Sequence, residues 1–425
     1  MLFRFALIFA VFHASLAWAG KPNFVVIYTD DQAFDTIRAL GNNQIQTPNL
    51  DQLVERGFTF TNAYCQGGQS GAVCVPSRTM FLTGKSTFHT PPYNSKTYDK
   101  PTLGSTFKNA GYATLCVSKP GNSFKPAHEA FETVVHIPHM GATTNQKCAD
   151  AAIDWLKTGT GEKSFFIYYA PSMPHDPRTA EAEFHKLYDP AKIVLPKNWM
   201  KEHPIDIGVR GIRDEKLAPY PRDESEMKRH LAEYYACITS LDFHLGRIFD
   251  TLKKAGKWDD TIVVFTSDQG LAVGGRHAHM GKQNLYEHFK SPLVIAGPGV
   301  PKGKSAALVY LHDLFPTCCD LVSVPIPKEC DGASLVPIIK GETKSVRDSL
   351  LAVYTGTQRM VRDERWKMMW YPKLEKFQLF DLQNDPNELA NLAEVPEQSE
   401  KLAAMKKLMG EQQKAFGDDK APIVK

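Results

Sequence analysis

The sequence has almost no excess of charge of either sign. Across 425 residues, 50 lysines and arginines stand against 47 aspartates and glutamates, which gives a formal net charge of +3. Proteins that bind nucleic acid or a membrane surface electrostatically usually carry a larger positive excess or basic clusters. The composition therefore gives no support for a nucleic-acid partner or for a role at a membrane surface.

The sequence also lacks the cysteine and histidine spacing that marks zinc sites. There is no C-x-x-C pair and no cluster of histidine with cysteine, so no zinc site is expected. In an oxidising compartment some thiols pair, but the sequence does not give the connectivity. The eight cysteines are Cys65, Cys74, Cys116, Cys148, Cys237, Cys318, Cys319 and Cys330.

Long hydrophobic runs are confined to the start of the chain. Arg4 gives a basic beginning, residues 5–16 are apolar, and residues 17–19 (Ala-Trp-Ala) fit a small-x-small cleavage site. We expect residues 1–19 to be a signal peptide and the mature protein to be secreted or periplasmic. An uncleaved membrane anchor is less favoured, because the run is short and ends in a cleavage signal. No later segment is expected to span a bilayer.

Five short apolar segments have the length of β-strands. Their hydrophobicity is continuous rather than alternating, which indicates strands buried on both faces of a mostly parallel sheet. Stretches with helical spacing lie between them, the clearest at 226–256, so the predicted fold is an α/β sandwich. The five segments are 23–29, 112–118, 164–170, 261–267 and 292–297.

The pattern changes near residue 346. Short segments typical of antiparallel strands are followed by a turn and a polar helix at 396–416, which predicts a small α+β subdomain over 346–425. The preceding residues, 20–345, are predicted to form the main α/β domain. The aromatic stretch 366–372 is interpreted as the core of the subdomain. The segment 176–225 is charged and shows little periodicity, and we predict a long surface insertion near the functional site.

Polar residues follow four of the predicted strands. In open α/β sheets, ligands bind beyond the carboxyl ends of the strands, so these side chains are expected to meet. Three carboxylates and an amide offer only oxygen ligands, which suits calcium or magnesium better than zinc or copper. The residues that follow the strands are Asp30 and Asp31, Lys119, His175, and Asp268 with Gln269.

Cationic residues are predicted on the open side of this oxygen-rich site. A metal ion beside several cations forms a receptacle for a tetrahedral anion, either sulfate or phosphate. The segment CVPSRTMFLTG places Cys74 at a predicted helix N-terminus, where the helix dipole favours an anion. An ordinary buried cysteine would not explain Pro76 or Arg78. The cationic residues are Arg78, Lys119, His175 and Lys282.

These segments resemble the type I, formylglycine-dependent sulfatases of the alkaline phosphatase-like superfamily. CVPSRTMFLTGK is similar to the family signature Cys-x-Pro-Ser-Arg followed by Thr-Gly-Arg/Lys. NFVVIYTDDQ resembles the opening strand of the family, and TPNLDQLVERGFTFTNAY resembles the helix that follows it. TSDQGLAVGGRHAHMGKQNLYEHFK is similar to the late metal-ligand block. The likeness covers essentially the whole chain after residue 19.

The resemblance implies that a dedicated maturase oxidises Cys74 to formylglycine, with Pro76 and Arg78 in its recognition motif. It also implies a bound calcium ion, with magnesium less favoured. The implied metal ligands are Asp30, Asp31, residue 74, Asp268 and Gln269. The implied catalytic residues are Cys74, Arg78, Lys119, His175 and Lys282, where Lys119, Lys282 and His175 hold the sulfate and His175 is a candidate proton donor.

The sequence departs from the family pattern at two positions. Gly121 stands where a histidine is usual, so that role falls to Asn122 or to another histidine, or it is weaker. Gln269 replaces the commoner asparagine or histidine ligand. Residues predicted to contact substrate are His277, His279, Arg276 and Arg178, and either histidine is an alternative candidate for the acid that protonates the leaving group. Arg210 and Arg213, like Arg178 and Arg276, lie in segments that would line the mouth and grip an anionic sugar. For the other histidines, including His139, ordinary structural roles are expected.

Hydrolysis of a sulfate ester on a sulfated polysaccharide or its oligosaccharides is the function that the resemblance favours. A phosphonate monoester or phosphodiester hydrolase of the same superfamily is the first alternative. A catalytically silent glycan-binding relative is the second, and the missing histidine at position 121 is its only support. The sequence leaves open the sugar, the position of the sulfate and the oligomeric state.

Overall fold

A large, mostly parallel sheet forms the centre of the protein, as the sequence predicts. The computed structural model describes residues 21–139 and 141–424, so the predicted signal peptide lies outside the described residues. The spatial order of the strands is β10-β2-β9-β7-β1-β6-β4-β5, with the two-residue β8 paired to β2. These strands are β1 (Asn23–Thr29), β2 (Phe58–Tyr64), β4 (Ala113–Ser118), β5 (Thr133–His136), β6 (Phe165–Ala170), β7 (Thr261–Ser267), β8 (Lys290–Ser291), β9 (Leu293–Ala296) and β10 (Gly303–Tyr310).

Both faces of this sheet are covered, because alternate residues of its strands enter two different hydrophobic clusters. On β1, Phe24, Val26 and Tyr28 belong to one cluster, while Val25 and Ile27 belong to the other. Helices cover both faces, as expected for an α/β sandwich. The helices of the described chain are α1 (Pro48–Arg56), α2 (Cys74–Thr83), α3 (Leu103–Asn109), α4 (Lys125–Glu129), α5 (Thr144–Thr158), α6 (Ala182–His185), α7 (Glu224–Lys254), α8 (Leu314–Leu321), α9 (Val336–Ile339) and α10 (Ser399–Phe416).

The predicted strands and the long helix agree with the structure to within about two residues. The interpretation of TPNLDQLVERGFTFTNAY as one helix is wrong in its second half, because α1 ends at Arg56 and the chain continues as β2. The burial of β2 over Phe58, Thr59 and Phe60 fits a central strand flanked by β10 and β9. Beside β7 the parallel arrangement is interrupted, since β9 runs antiparallel to both β7 and β2.

A second, mainly antiparallel sheet carries the C-terminal part of the chain. Its order is β14-β13-β12-β11-β3, and helix α10 packs against it. As predicted, the stretch that contains β13 is buried. The strands are β3 (Gly67–Gly68), β11 (Leu350–Tyr354), β12 (Gln358–Arg362), β13 (Trp366–Tyr371) and β14 (Lys376–Asp381).

The short strand β3 connects this second sheet to the segment that leads into α2. Gly67 has a φ of 94°, and a Cβ there would lie 1.8 Å from the carbonyl oxygen of Val353, so no other residue fits. The small sheet thereby fixes the backbone seven residues before Cys74. Among the described residues, no helix is both long enough and apolar enough to cross a bilayer.

Candidate active site

Two neighbouring parallel strands bring the predicted acidic residues together. Strands β1 and β7 pair up to Thr29 and Ser267, and Asp30, Asp31 and Asp268 follow directly. The backbone N–H of Asp31 donates to Oδ1 of Asp268 over 2.9 Å, and Asp31 has a φ of 68°. All three carboxylates are buried. This edge of the sheet is therefore a compact anionic cluster, as the strand-end argument predicts.

Helix α2 places Cys74 and Arg78 against this cluster. The helix begins at Cys74, and the spacing of four residues puts both side chains on one face. The Sγ atom of Cys74 lies 3.7 Å from Oδ1 of Asp31 and 3.3 Å from Nε2 of Gln269. Nε of Arg78 donates to Oδ2 of Asp268 over 3.2 Å. The residue that the family modifies thus lies at the acidic cluster, at the start of a buried helix.

The donor set fits a divalent cation. One ligand atom from each of Asp30, Asp31, Cys74 and Asp268 lies within 4.8 Å of the others. Oδ1 of Asp30 and Oε1 of Gln269 are buried and have no hydrogen-bond partner among the described residues. Unpaired buried oxygens are costly unless something else contacts them, and a hard cation prefers oxygen ligands. Burial and the charge of Asp30 raise the pKa of Asp268 well above its usual value, a cost that a cation would remove.

Besides Arg78, two more of the predicted cations contact the same cluster. Nζ of Lys282 donates to both carboxylate oxygens of Asp31, over 2.8 and 2.7 Å. Nε2 of His175 lies 3.7 Å from Oδ2 of Asp31, and its Nδ1 lies 2.6 Å from the carbonyl oxygen of Asp176. Lys119 follows β4 and is half-buried. These cationic side chains therefore lie beside the cluster, where they could contact a bound tetrahedral anion.

The unmodified thiol of Cys74 is a poor nucleophile in this setting. Burial, followed by the charges of Asp268 and Asp30, raises the pKa of Cys74 well above its usual value. Because the thiolate is the reactive form of cysteine, this environment disfavours a cysteine mechanism.

Asn122, the residue after Gly121, contacts the acidic cluster. Its Nδ2 donates to Oδ2 of Asp30 over 2.7 Å, so it supports a predicted metal ligand. Gly121 itself has a φ of 73°, in the left-handed region. A side chain at residue 121 would therefore strain the backbone even though nothing lies within 4 Å of its Cβ.

We expect Gly121→Ala to lower the free energy of unfolding by about 1 kcal/mol, because only glycine adopts this conformation without strain. Gly121→His should carry the same backbone cost. Urea denaturation measures both. Gly71→Ala is the matched control, since Gly71 also has no neighbour within 4 Å of its Cβ but lies outside the left-handed region. Equal changes at residues 121 and 71 would contradict the expectation.

The predicted substrate contacts Arg276 and His277 lie in a different cluster. Nη1 of Arg276 donates to Oε1 of Glu287 over 2.9 Å, and its Nη2 donates to Oδ2 of Asp35. The ring of His277 stacks on Tyr286 with centroids 3.9 Å apart, and its Nε2 lies 3.3 Å from Oε2 of Glu287. These contacts form a buried network that is separate from the contacts of the acidic cluster, and a role for Arg276 and His277 in substrate binding stays a prediction.

The other two predicted contacts are also buried. The ring of His279 lies 5.0 Å from that of His203, and its Nδ1 is 3.9 Å from Oε1 of Glu215. Arg178 lies over the ring of Tyr234 on α7, and its Nε and Nη2 have no partner among the described residues. A role for these residues in substrate binding stays a prediction.

Two residues near the acidic cluster, Asp214 and His139, were not singled out by the motifs. Oδ2 of Asp214 lies 3.8 Å from Nζ of Lys282 and accepts from Nε2 of Gln283 over 2.9 Å. His139 has its Nδ1 3.1 Å from Oγ of Ser172, in the loop after β6. Burial, more than the nearby charges of Lys119 and His175, lowers the pKa of His139. The sequence signal for Asp214 is weak, because it lies in the aperiodic segment 176–225.

Among the described residues, Cys74 is the one cysteine that belongs to a group able to hold a metal ion. All eight cysteines are free thiols in the structure, and seven of them are buried. No disulfide is formed among the described residues.

Comparisons with known proteins agree with this geometry. A family model described as Sulfatase matches residues 22–324, and one described as N-sulphoglucosamine sulphohydrolase, C-terminal, matches residues 275–415. The N-acetylglucosamine-6-O-sulfatase of Bacteroides thetaiotaomicron is 25% identical, over 94% of this chain and 87% of the relative.

Solved structures share the fold over nearly the whole chain. One, in complex with its substrate D-glucosamine-2-N,6-O-disulfate, has a TM-score of 0.80 and 22% identity, covering 94% of this chain and 99% of the other. The phosphonate monoester hydrolase of Agrobacterium radiobacter has a TM-score of 0.78 and 21% identity, covering 93% and 96%. Because the Sulfatase model spans well over half of the chain, this protein belongs to the sulfatase family of sulfuric ester hydrolases.

Proposed function

We propose that this protein is a secreted or periplasmic sulfatase that removes sulfate esters from a sulfated polysaccharide or its oligosaccharides. Its nucleophile would be a formylglycine hydrate made from Cys74 by a maturase, beside a bound calcium ion. The observation that carries the proposal is the position of Cys74, which contacts Asp31 and Gln269 and lies within 4.8 Å of an oxygen of each of three buried carboxylates. Two of the ligand oxygens there have no partner among the described residues.

The residues of the metal centre would bind the calcium ion and position residue 74 beside it. Asp30, Asp31, Asp268 and Gln269 would hold calcium, whose charge favours a deprotonated hydroxyl at residue 74. The hydrated aldehyde supplies two hydroxyls on one carbon, one to attack sulfur and one to expel sulfate afterwards. Arg78 would hold Asp268 in place, since it pairs with that carboxylate and also donates to the carbonyl oxygen of Thr29 over 3.3 Å.

The cationic side chains would bind the sulfate group and stabilise charge in the transition state. Lys282 contacts Asp31. Burial alone would lower the pKa of Lys282, but the charges of Asp31 and its neighbours outweigh burial and raise that pKa. It therefore stays charged at neutral pH, as a sulfate ligand requires. Lys119 would provide a second cation from the end of β4. His175, 3.7 Å from Asp31, is positioned to contact the sulfate and to protonate the leaving alcohol.

A glycan substrate is favoured by the size of the segment that borders the site. Two residues of the segment 176–225 lie beside the predicted catalytic residues. Arg213 is 3.4 Å from His175, and the buried Asp214 is 3.8 Å from Lys282. The N-acetylglucosamine-6-O-sulfatase relative is consistent with a sulfated amino sugar, although that activity belongs to the relative.

Phosphonate monoester hydrolysis is the main alternative, because an enzyme with that activity shares the fold with a TM-score of 0.78. We expect kcat/KM for 4-nitrophenyl sulfate to exceed that for 4-nitrophenyl phenylphosphonate by at least about tenfold, since a sulfatase site would stabilise the transition state of sulfate transfer most strongly. Both substrates release nitrophenol, so one absorbance assay on protein from a maturase-containing host measures both. A preference for the phosphonate would favour the alternative, and no turnover of either ester would favour a silent glycan-binding protein.

A further inference from the structure

Arg213 differs from the other polar side chains at the site because it is largely exposed. Its side chain is 58% exposed, whereas that of His175 is 10% and that of Lys282 is 3%. Yet Nη2 of Arg213 lies only 3.4 Å from Nε2 of His175. An accessible cation therefore borders the histidine that is proposed to face the scissile sulfate.

Two carboxylates fix the orientation of this guanidinium. Nε and Nη2 of Arg213 donate to Oδ1 of Asp214, over 2.8 and 2.5 Å, and Nη2 also donates to Oδ1 of Asp176 over 3.0 Å. No described residue accepts a hydrogen bond from Nη1. Two N–H groups of a held guanidinium are thus left for an outside acceptor.

The backbone that carries Arg213 is anchored to the loop of Lys282. Glu215, two residues further on, accepts from the backbone N–H groups of Met280 and Gly281 over distances of 2.9–3.1 Å. Asp214 accepts from Nε2 of Gln283 over 2.9 Å. Arg213 is therefore presented by a segment tied to the catalytic loop, unlike a freely moving surface arginine, so little ordering is needed when a ligand binds.

We propose that Arg213 is a specificity-determining residue that binds a second anionic group, a carboxylate or another sulfate, on the substrate beside the scissile sulfate ester. This inference rests on the proposed sulfatase function and names its substrate class, a glycan unit with two anionic groups. The planar guanidinium matches the paired oxygens of carboxylate and sulfate, and neutral sugars offer no such charge.

The test compares kcat/KM for matched substrates with and without the second anion. Glucosamine 2-N,6-O-disulfate is compared with N-acetylglucosamine 6-O-sulfate for a second sulfate. A 6-O-sulfated disaccharide with its uronate carboxylate is compared with the same disaccharide reduced to the alcohol. We expect Arg213→Gln to lower kcat/KM about tenfold for the doubly anionic member of at least one pair, mainly through KM. The singly sulfated members should change by less than about threefold.

Lys216→Gln is the matched control, because it removes an exposed positive charge from the 3-10 helix Asp214–Leu217, which directly follows Arg213. It should leave the preference unchanged. Equal losses for both members of both pairs in Arg213→Gln, or an equal effect of Lys216→Gln, would overturn the inference while leaving the proposed function intact. Absence of sulfate release from every substrate, 4-nitrophenyl sulfate included, would overturn the proposed function and this inference with it.

Discussion

Replacing Cys74 with alanine is expected to lower kcat for sulfate ester hydrolysis by at least about 10⁴-fold, because removal of a covalent nucleophile leaves only binding and electrostatic contributions. The side chain of residue 74 lies against Asp31 and Gln269, and no other nucleophilic side chain of the described chain shares that position. Sulfate release from 4-nitrophenyl sulfate at saturating substrate gives the measurement.

Cys148→Ala is the matched control for this loss. Cys148 is equally buried, but it lies on α5 in a hydrophobic cluster away from the acidic residues. We expect this variant to retain wild-type kcat. Melting curves establish that both variants are folded. Retained activity in Cys74→Ala would show that residue 74 does not perform the chemistry.

The second large effect concerns Asp268, and its sign should depend on calcium. Asp30, Asp31 and Asp268 present oxygens within 4.8 Å of one another, a separation at which each pair of charges repels by about 3 kcal/mol at an effective dielectric of about 20. Burial and the charge of Asp30 raise the pKa of Asp268, whereas for Asp30 the charges of His175 and Arg78 outweigh burial and lower the pKa, so Asp268 carries the less favourable charge. Without the metal, Asp268→Asn removes this charge, and with the metal the same substitution removes a ligand. We therefore expect Asp268→Asn to melt at or above the wild-type temperature in chelator, and below it in saturating calcium.

The cause of this reversal is linkage between calcium binding and folding. A ligand at 100 times its Kd stabilises the folded state by about 2.7 kcal/mol, and a variant that binds poorly loses that gain. We expect Asp268→Asn to bind calcium at least about 100-fold more weakly by titration calorimetry. Asp259→Asn removes a charge from an exposed residue and should respond to calcium as the wild type does. If Asp268→Asn is less stable than the wild type in chelator, the cluster is not one whose repulsion requires a cation.

The sequence predicts the central strands well, because each is a continuous apolar run that ends in a polar residue. Strands β1 and β7 agree with segments 23–29 and 261–267 at both ends, and their pairing brings Asp30 and Asp268 together. This part of the site is encoded locally, since parallel neighbours end at one edge. The short helix from Cys74 to its C-terminal Gly84 is likewise predicted from its own residues alone.

Other features depend on packing between segments that are far apart in the sequence. A pattern within one segment carries no information about such packing. Strand β2 follows α1 after the single residue Gly57, and its position between β9 and β10 is set by pairing with residues more than 200 positions away. The contact of Arg213 with His175 likewise depends on how an aperiodic segment folds back. Strand β3, with only two glycines, has no pattern to detect.

The contacts of His277 show that proximity in the sequence does not fix the direction of a side chain. It lies five residues before Lys282, but His277 and Ala278 have φ values of 48° and 63°. This left-handed turn directs the imidazole toward Tyr286 and Glu287, whereas Lys282 reaches Asp31. A prediction based on neighbouring positions alone does not include such a reversal of direction.

The most direct measurement concerns the chemical identity of residue 74. Trypsin releases the peptide 57–78, which also contains Cys65, so tandem mass spectrometry must assign the modified position. In protein from a host with the maturase, we predict formylglycine at residue 74 and an unmodified cysteine at residue 65, with specific activity proportional to the modified fraction. An intact thiol at residue 74 in fully active protein would contradict a formylglycine mechanism.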